Sequence, residues 1–205
     1  MEKGMAIKKK QNNPLARGQE NKKKKAVKIC NAKEIELALQ RMADEIIEHN
    51  KTEKQLVVIG IKTRGEFLAK RLEGIISKKQ KKEIPVGAMD ITLYRDDLTE
   101  VAEQPVLRST EISFDITEKI VILVDDVFFT GRTIRCALDE IIDFGRPRGI
   151  QLAVLIDRGH REIPIRPDFS GKNIITKKTD QIEVHLKESD KREDAVMLIS
   201  EATAT

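Results

Sequence analysis

The thirteen residues Val121-Ile122-Leu123-Val124-Asp125-Asp126-Val127-Phe128-Phe129-Thr130-Gly131-Arg132-Thr133 constrain this chain more than any other segment. A clean apolar run of five, residues 120–124, reads as a buried strand. Two carboxylates end it, a turn of small and hydroxyl-bearing residues follows, and a helix opens. Ile134, Leu138, Ile141 and Ile142 mark that helix by their spacing, and Gly145 and Pro147 end it.

The rest of the chain repeats the alternation. Asn31 reads as a helix cap, with Glu34 three residues on as in a capping box. Ile35, Ala38, Leu39, Met42, Ile46 and Ile47 form one apolar stripe behind it. Residues 56–61 are a short β-branched run ending at Lys62-Thr63-Arg64-Gly65, after which Leu68, Leu72, Ile75 and Ile76 return to helical period. Residues 86–94 and 151–156 read as further strands, and residues 182–186 alternate like an edge strand. The stretch 95–110 is polar and lacks periodicity. Strands alternating with helices imply an α/β fold with a parallel sheet and right-handed crossovers. Such sheets bind ligands beyond the carboxyl ends of their strands. The informative residues are therefore 62–65, 94–97, 125–133 and 157–162.

Within 121–133 the chemistry is specific. Free N–H groups at a helix N-terminus attract an anion, and the helix dipole adds to the attraction. Gly131 allows close backbone approach, and the Thr130 and Thr133 hydroxyls donate further bonds. That combination suits a phosphate monoester. Asp125 and Asp126 repel a phosphate and suit vicinal hydroxyls or a divalent metal. A phosphate and a diol a few ångströms apart describe a ribose 5-phosphate. Receiver domains also end a strand in Asp-Asp, but near the start of the domain and without a Thr-Gly-Arg-Thr turn. Walker and Gly-x-Gly-x-x-Gly loops are absent. Asp143-Phe144-Gly145 spells a kinase triplet, but at a helix end without its partners.

Charge and cysteine content bound the setting. Residues 1–28 hold nine lysines, one arginine and two glutamates, a net of +8, so the chain's total of +4 leaves −4 for residues 29–205. Such an arm is expected to be disordered, and a solubilising tail is favoured over attraction to a polyanion. The two cysteines, Cys30 and Cys136, are too few for a disulfide framework and lack metal-ligand spacing. With neither a bilayer-length apolar run nor an apolar signal region, a cytoplasmic protein is expected.

Residues 121–133 resemble the signature of type I phosphoribosyltransferases. Three more segments narrow the likeness: Gly60-Ile61-Lys62-Thr63-Arg64-Gly65, Asp90-Ile91-Thr92-Leu93-Tyr94-Arg95-Asp96-Asp97, and Asp157-Arg158-Gly159-His160-Arg161-Glu162-Ile163-Pro164-Ile165-Arg166. Over about residues 27–199 the chain is similar to the PyrR family of bifunctional pyrimidine operon attenuation regulators and uracil phosphoribosyltransferases. The resemblance implies a Rossmann-like type I phosphoribosyltransferase core with a parallel sheet and a small hood. It divides the chain into a basic arm (1–26), the phosphoribosyltransferase domain (27–199) and a flexible tail (200–205).

The implied reaction converts uracil and phosphoribosyl diphosphate to UMP and diphosphate, with Mg²⁺ held mainly by substrate diphosphate and water. Thr130, Gly131, Arg132 and Thr133 would anchor the 5-phosphate, and Asp125 and Asp126 the ribose hydroxyls. Lys62, Thr63 and Arg64 would hold the diphosphate, and Arg95, in the stretch resembling the family's flexible loop, would close onto it. Phe129 stands where many purine enzymes carry an aspartate, so no general base is named and the competing purine assignment is disfavoured. Base selection falls to Ile156, Asp157 and Arg158. The resemblance also implies an RNA stem-loop surface at Arg41, Thr63, His160, Arg166 and Lys172, responsive to UMP or UTP. Gln40 departs from the family's threonine there. Aromatic residues make up only 3% of the chain, which argues against a stacking platform for single-stranded RNA. A homodimer or larger homo-oligomer is implied as well.

Overall fold

The computed structural model describes residues 24–53, 55–91 and 110–201. Its elements run β1 (Lys24–Asn31), α1 (Ala32–His49), β2 (Leu56–Ile61), α2 (Arg64–Gln80), β3 (Val86–Met89) and β4 (Ile120–Phe128). They continue with α3 (Arg132–Phe144), β5 (Gly149–Asp157), β6 (Phe169–Asn173), β7 (Gln181–His185), α4 (Lys187–Asp190) and β8 (Ala195–Glu201). Five strands pair in parallel in the order β3-β2-β4-β5-β6, and β1-β8-β7 form a second, antiparallel sheet. The β2 and β4 runs are apolar on both faces because both faces are covered. Ile35, Leu39, Met42 and Ile46 of α1 pack with Leu68, Leu72 and Ile76 of α2 on one face. Ile134, Ala137 and Ile141 of α3 pack with Ile59, Val121 and Leu123 on the other.

The first helix starts where the sequence says it should. Asn31 Oδ1 accepts the Glu34 N–H at 3.0 Å, and Glu34 Oε2 accepts the Asn31 N–H at 2.8 Å. Its stripe faces the core, and Arg41 fastens it to β6 by donating to the carbonyls of Ser170 and Gly171 at 3.0 and 2.6 Å.

Three strands escape the sequence pattern. β1 is exposed along most of its length, with Cys30 its one buried residue, so it shows no alternation. It exists because β8 pairs with it, from Lys24 opposite Glu201 to Asn31 opposite Ala195. This pairing corrects both expected boundaries. Lys24 to Ala26 belong to a sheet rather than to the basic arm, and Ser200 and Glu201 belong to it rather than to the tail. β6 is polar, burying Phe169 and Gly171. Conversely, the strand expected over 86–94 is paired only through Met89, and residues 92–94 lie outside the described residues.

Candidate active site

The chain leaves β2 for the α1–α2 face and leaves β4 for the α3 face, so the carboxyl ends of these neighbouring strands bound a crevice. The loop after β2 lies close to the end of β4. A Cβ on Gly65 would stand 2.5 Å from the Val124 carbonyl oxygen, a position only glycine tolerates. The Lys62–Thr63 peptide between strand and helix is cis.

Asp125 and Asp126 lie in the last four residues of β4, which runs on past the expected strand end through Val127 and Phe128. Asp125 Oδ1 accepts the Asp126 N–H and Asp126 Oδ1 accepts the Val127 N–H, both at 2.9 Å. Burial pushes the Asp126 carboxyl above its ordinary value, and the nearby Arg64 guanidinium pulls the other way. Gly131, at φ +94°, turns the chain into α3, whose N-terminus has no side-chain cap and no acidic residue in its first turn. An uncapped helix start of this kind is open to an anion. The carboxylate pair and the Thr130–Gly131 turn thus lie near one end of one strand. Thr130 Oγ1 accepts the Arg132 N–H at 3.4 Å, and the Thr130 carbonyl accepts the Glu162 N–H at 2.9 Å. Arg132 Nε donates to Glu162 Oε2 at 3.1 Å, tying the turn to the loop after β5.

That third loop is internally braced. Asp157 accepts from the Gly159 N–H at 2.9 Å and from Arg161 at 2.8 Å. Arg158 is buried, donates to Thr176 Oγ1 and the Lys177 carbonyl at 3.2 and 2.8 Å, and lies 4.1 Å above the Phe129 ring. His160 Nε2 donates to the Thr176 carbonyl at 2.7 Å and meets Phe129 edge-on. Phe129 is thus clasped between Arg158 and His160. The Ile156 side chain is spent on the core, which leaves only its backbone for a ligand.

The predicted diphosphate loop divides. The Lys62 side chain is only 7% exposed and its ammonium bonds Glu111 at 2.6 Å, which lowers the carboxyl of that exposed glutamate. Arg64 faces a 330 Å³ cavity that it shares with Asp126, Ile182, Val184, Asp190 and Arg192. Sequence reading missed Asp190 and Arg192, since neither belongs to a recognisable motif. Arg95 lies outside the described residues.

Among the residues expected at an RNA surface, Arg41 and Lys172 meet at β6, where Lys172 donates to the Ile29 carbonyl at 2.9 Å. Arg166 is exposed in the connection from β5 to β6. Thr63 stands at the start of α2, separated from β6 by β4 and β5. Cys30 and Cys136 are buried and neither is in a disulfide. Among the described residues no helix is long and apolar enough to cross a membrane.

The parallel sheet carries paired carboxylates and a glycine turn at its switch point, and the phosphoribosyl transferase domain model matches residues 27–189. Solved structures agree in fold. The Trypanosoma cruzi hypoxanthine phosphoribosyltransferase superposes with a TM-score of 0.65 at 15% identity, covering 85% of this chain and 97% of that one. A Bacillus anthracis hypoxanthine-guanine phosphoribosyltransferase gives 0.62 at 17% identity, covering 84% and 97%. Curated relatives are far more similar in sequence. The bifunctional protein PyrR of Deinococcus radiodurans is 56% identical over 162 residues, covering 79% of this chain and 88% of the relative. That of Pelotomaculum thermopropionicum is 57% identical over 164 residues, covering 80% and 91%. That of Thermus thermophilus is 54% identical over 170 residues, covering 83% and 93%. The chain belongs to the phosphoribosyltransferase family and, within it, to the bifunctional PyrR proteins.

Proposed function

We propose that this protein is a uracil phosphoribosyltransferase, converting uracil and phosphoribosyl diphosphate to UMP and diphosphate, and also an RNA-binding attenuator of pyrimidine genes. The observation that carries the enzymatic half is the juxtaposition at the end of β4 of Asp125 and Asp126 with the Thr130–Gly131 turn. The turn and the α3 N-terminus hold the 5-phosphate, and the carboxylates accept from the ribose hydroxyls. With both ends of the sugar fixed, C1 is presented to the base in one orientation.

In the reaction the C1–oxygen bond breaks with its electron pair leaving on diphosphate, uracil N1 bonds to C1, and the N1 proton passes to solvent water. Arg64 and the amides of its loop stabilise the departing anion, joined by Arg95. Phe129 offers no proton acceptor, which suits an acidic lactam such as uracil better than a purine. The hard oxygen donors of Asp125 and Asp126 are compatible with Mg²⁺ held mainly by diphosphate oxygens and water. Bound there, the ion would neutralise charge on the leaving group. Asp157 and Arg158 shape the base-selecting loop, with Arg158 acting through Phe129 and the Thr176 loop.

The regulatory half is supported by the bifunctional designation of relatives at 54–57% identity. It is also supported by the basic residues Arg41, His160, Arg166 and Lys172 around the β5–β6 edge. Recognition there is by shape and phosphate contacts, enhanced by UMP or UTP, in a cytoplasmic homodimer or larger homo-oligomer.

A nucleobase panel with phosphoribosyl diphosphate and Mg²⁺, followed through diphosphate release, tests the enzymatic half. Turnover is expected with uracil and not with adenine or hypoxanthine; turnover with a purine alone would overturn the assignment. Stem-loop binding that rises with UMP and is lost in Arg166→Ala tests the regulatory half. Equal binding by the variant would remove that surface.

A further inference from the structure

Arg64, assigned above to the donor's diphosphate, already grips an anion. Its Nε and Nη2 donate to Asp190 Oδ2 and Oδ1 at 3.2 and 2.7 Å, the two-pronged geometry with which a guanidinium holds phosphate as readily as carboxylate. Asp190 belongs to α4, in the connection between β7 and β8 of the small sheet. Its position does not depend on Arg64, because Oδ2 also accepts the Leu186 N–H at 3.0 Å and the Ser189 hydroxyl at 2.6 Å. The Arg64 and Asp190 side chains are 36% and 19% exposed and line the cavity that Asp126 also lines. The contact is therefore open to a competing anion from the crevice.

A second arginine of α2 provides the contrast. Arg71 grips Glu188 and Asp194, also with two prongs each, but it lies outside this cavity. Its forks fasten α4 and the segment that follows it to α2 whatever Arg64 does. The Arg64–Asp190 pair is consequently dispensable for docking and available for exchange.

We infer that Asp190 is a resident counter-anion in the Arg64 fork that diphosphate must displace, and that it thereby sets the affinity of the site for diphosphate. The inference rests on the diphosphate-loop assignment. A half-buried guanidinium without an anion is costly, so the carboxylate stabilises the loop. The same carboxylate competes with the ligand and repels it once displaced, which keeps the product from being held too tightly. Asp190 is a positioning residue in this role, acting through Arg64.

Calorimetric titration of the full chain with inorganic diphosphate in Mg²⁺ provides the test. Wild type binds, and both Asp190→Asn and Asp190→Ala bind about fivefold tighter, the scale of one partly exposed ion pair released from competition. Arg64→Ala binds more weakly, and adding Asp190→Asn to it gives no tightening. Disruption of the small sheet cannot imitate this pattern, since damage weakens binding. Unchanged or weaker binding by both Asp190 variants overturns the inference, as does equal tightening in the Arg64→Ala background. Wild type that fails to bind diphosphate removes the loop assignment as well. Wild type that binds, with variants that do not respond, removes this inference alone.

Discussion

Replacing Arg71 by alanine should show how the small sheet is held against the core. Arg71 Nη1 donates to Asp194 Oδ2 at 2.5 Å and Nη2 to Glu188 Oε2 at 2.6 Å, with further bonds to each carboxylate's second oxygen or prong. Breaking a buried pair from one side costs about 3–5 kcal/mol, whereas an exposed pair contributes about 1 kcal/mol or less. The Arg71 side chain is 20% exposed, Asp194 10% and Glu188 29%, so the cost falls between, at about 2–3 kcal/mol. For a domain of this size that corresponds to a Tm lower by about 4–12 °C. Burial works against both carboxylates, but the Arg71 hydrogen bonds outweigh it, and both ionise below their ordinary range. A depressed folded-state value stabilises the fold above the unfolded pKa of about 4 and is lost as pH falls through the folded value. The gap between wild type and variant is therefore full at pH 7 and shrinks in acid. Thermal melts of both proteins across this range make the comparison. A variant melting with wild type at pH 7, or a gap that persists undiminished in acid, would refute the electrostatic account of docking.

Asp125→Asn with Asp126→Asn should lower uracil turnover at least about a hundredfold while leaving the circular dichroism spectrum intact, because only charge is removed; full activity would remove the ribose role. Gly131→Ala forces a side chain to φ +94° and should cost about 1 kcal/mol of stability together with donor affinity, read from melts and from the KM for the donor. Burial raises the Glu140 carboxyl, with Asp90 and Asp143 adding to the effect and Thr110 opposing it, and its Oε2 has no hydrogen-bond partner among the described residues. A raised folded-state value means wild type loses stability as pH climbs from the unfolded value through the folded one. Glu140→Gln should thus gain over wild type in a melt at pH 8 and lose that gain at pH 4. Deleting residues 1–23 should leave turnover within about twofold, since among the described residues the small sheet's pairing begins at Lys24; a large loss would give the arm a part in the site.

Much of this molecule is written in short-range pattern. Residues 120–133 dictate a buried strand, two carboxylates and a glycine turn into a helix because each is a local matter of hydrophobic run, chain order and one glycine. The Asn31–Glu34 cap and the stripes of α1 to α3 are local in the same sense, and they suffice to make the parallel sheet and place the crevice. β1, β6 and β8 are different. Their residues carry little alternation, and what makes β1 a strand is the partner that lies some 170 positions away in the chain. Long-range pairing likewise decides what the site's charges do. Nothing in the order of residues says that Arg64 meets Asp190, that Lys62 meets Glu111, or that Arg158 lies over Phe129. Those contacts join side chains from separate elements, and a charge acquires its function from whichever opposite charge the folded chain brings within about 3 Å of it.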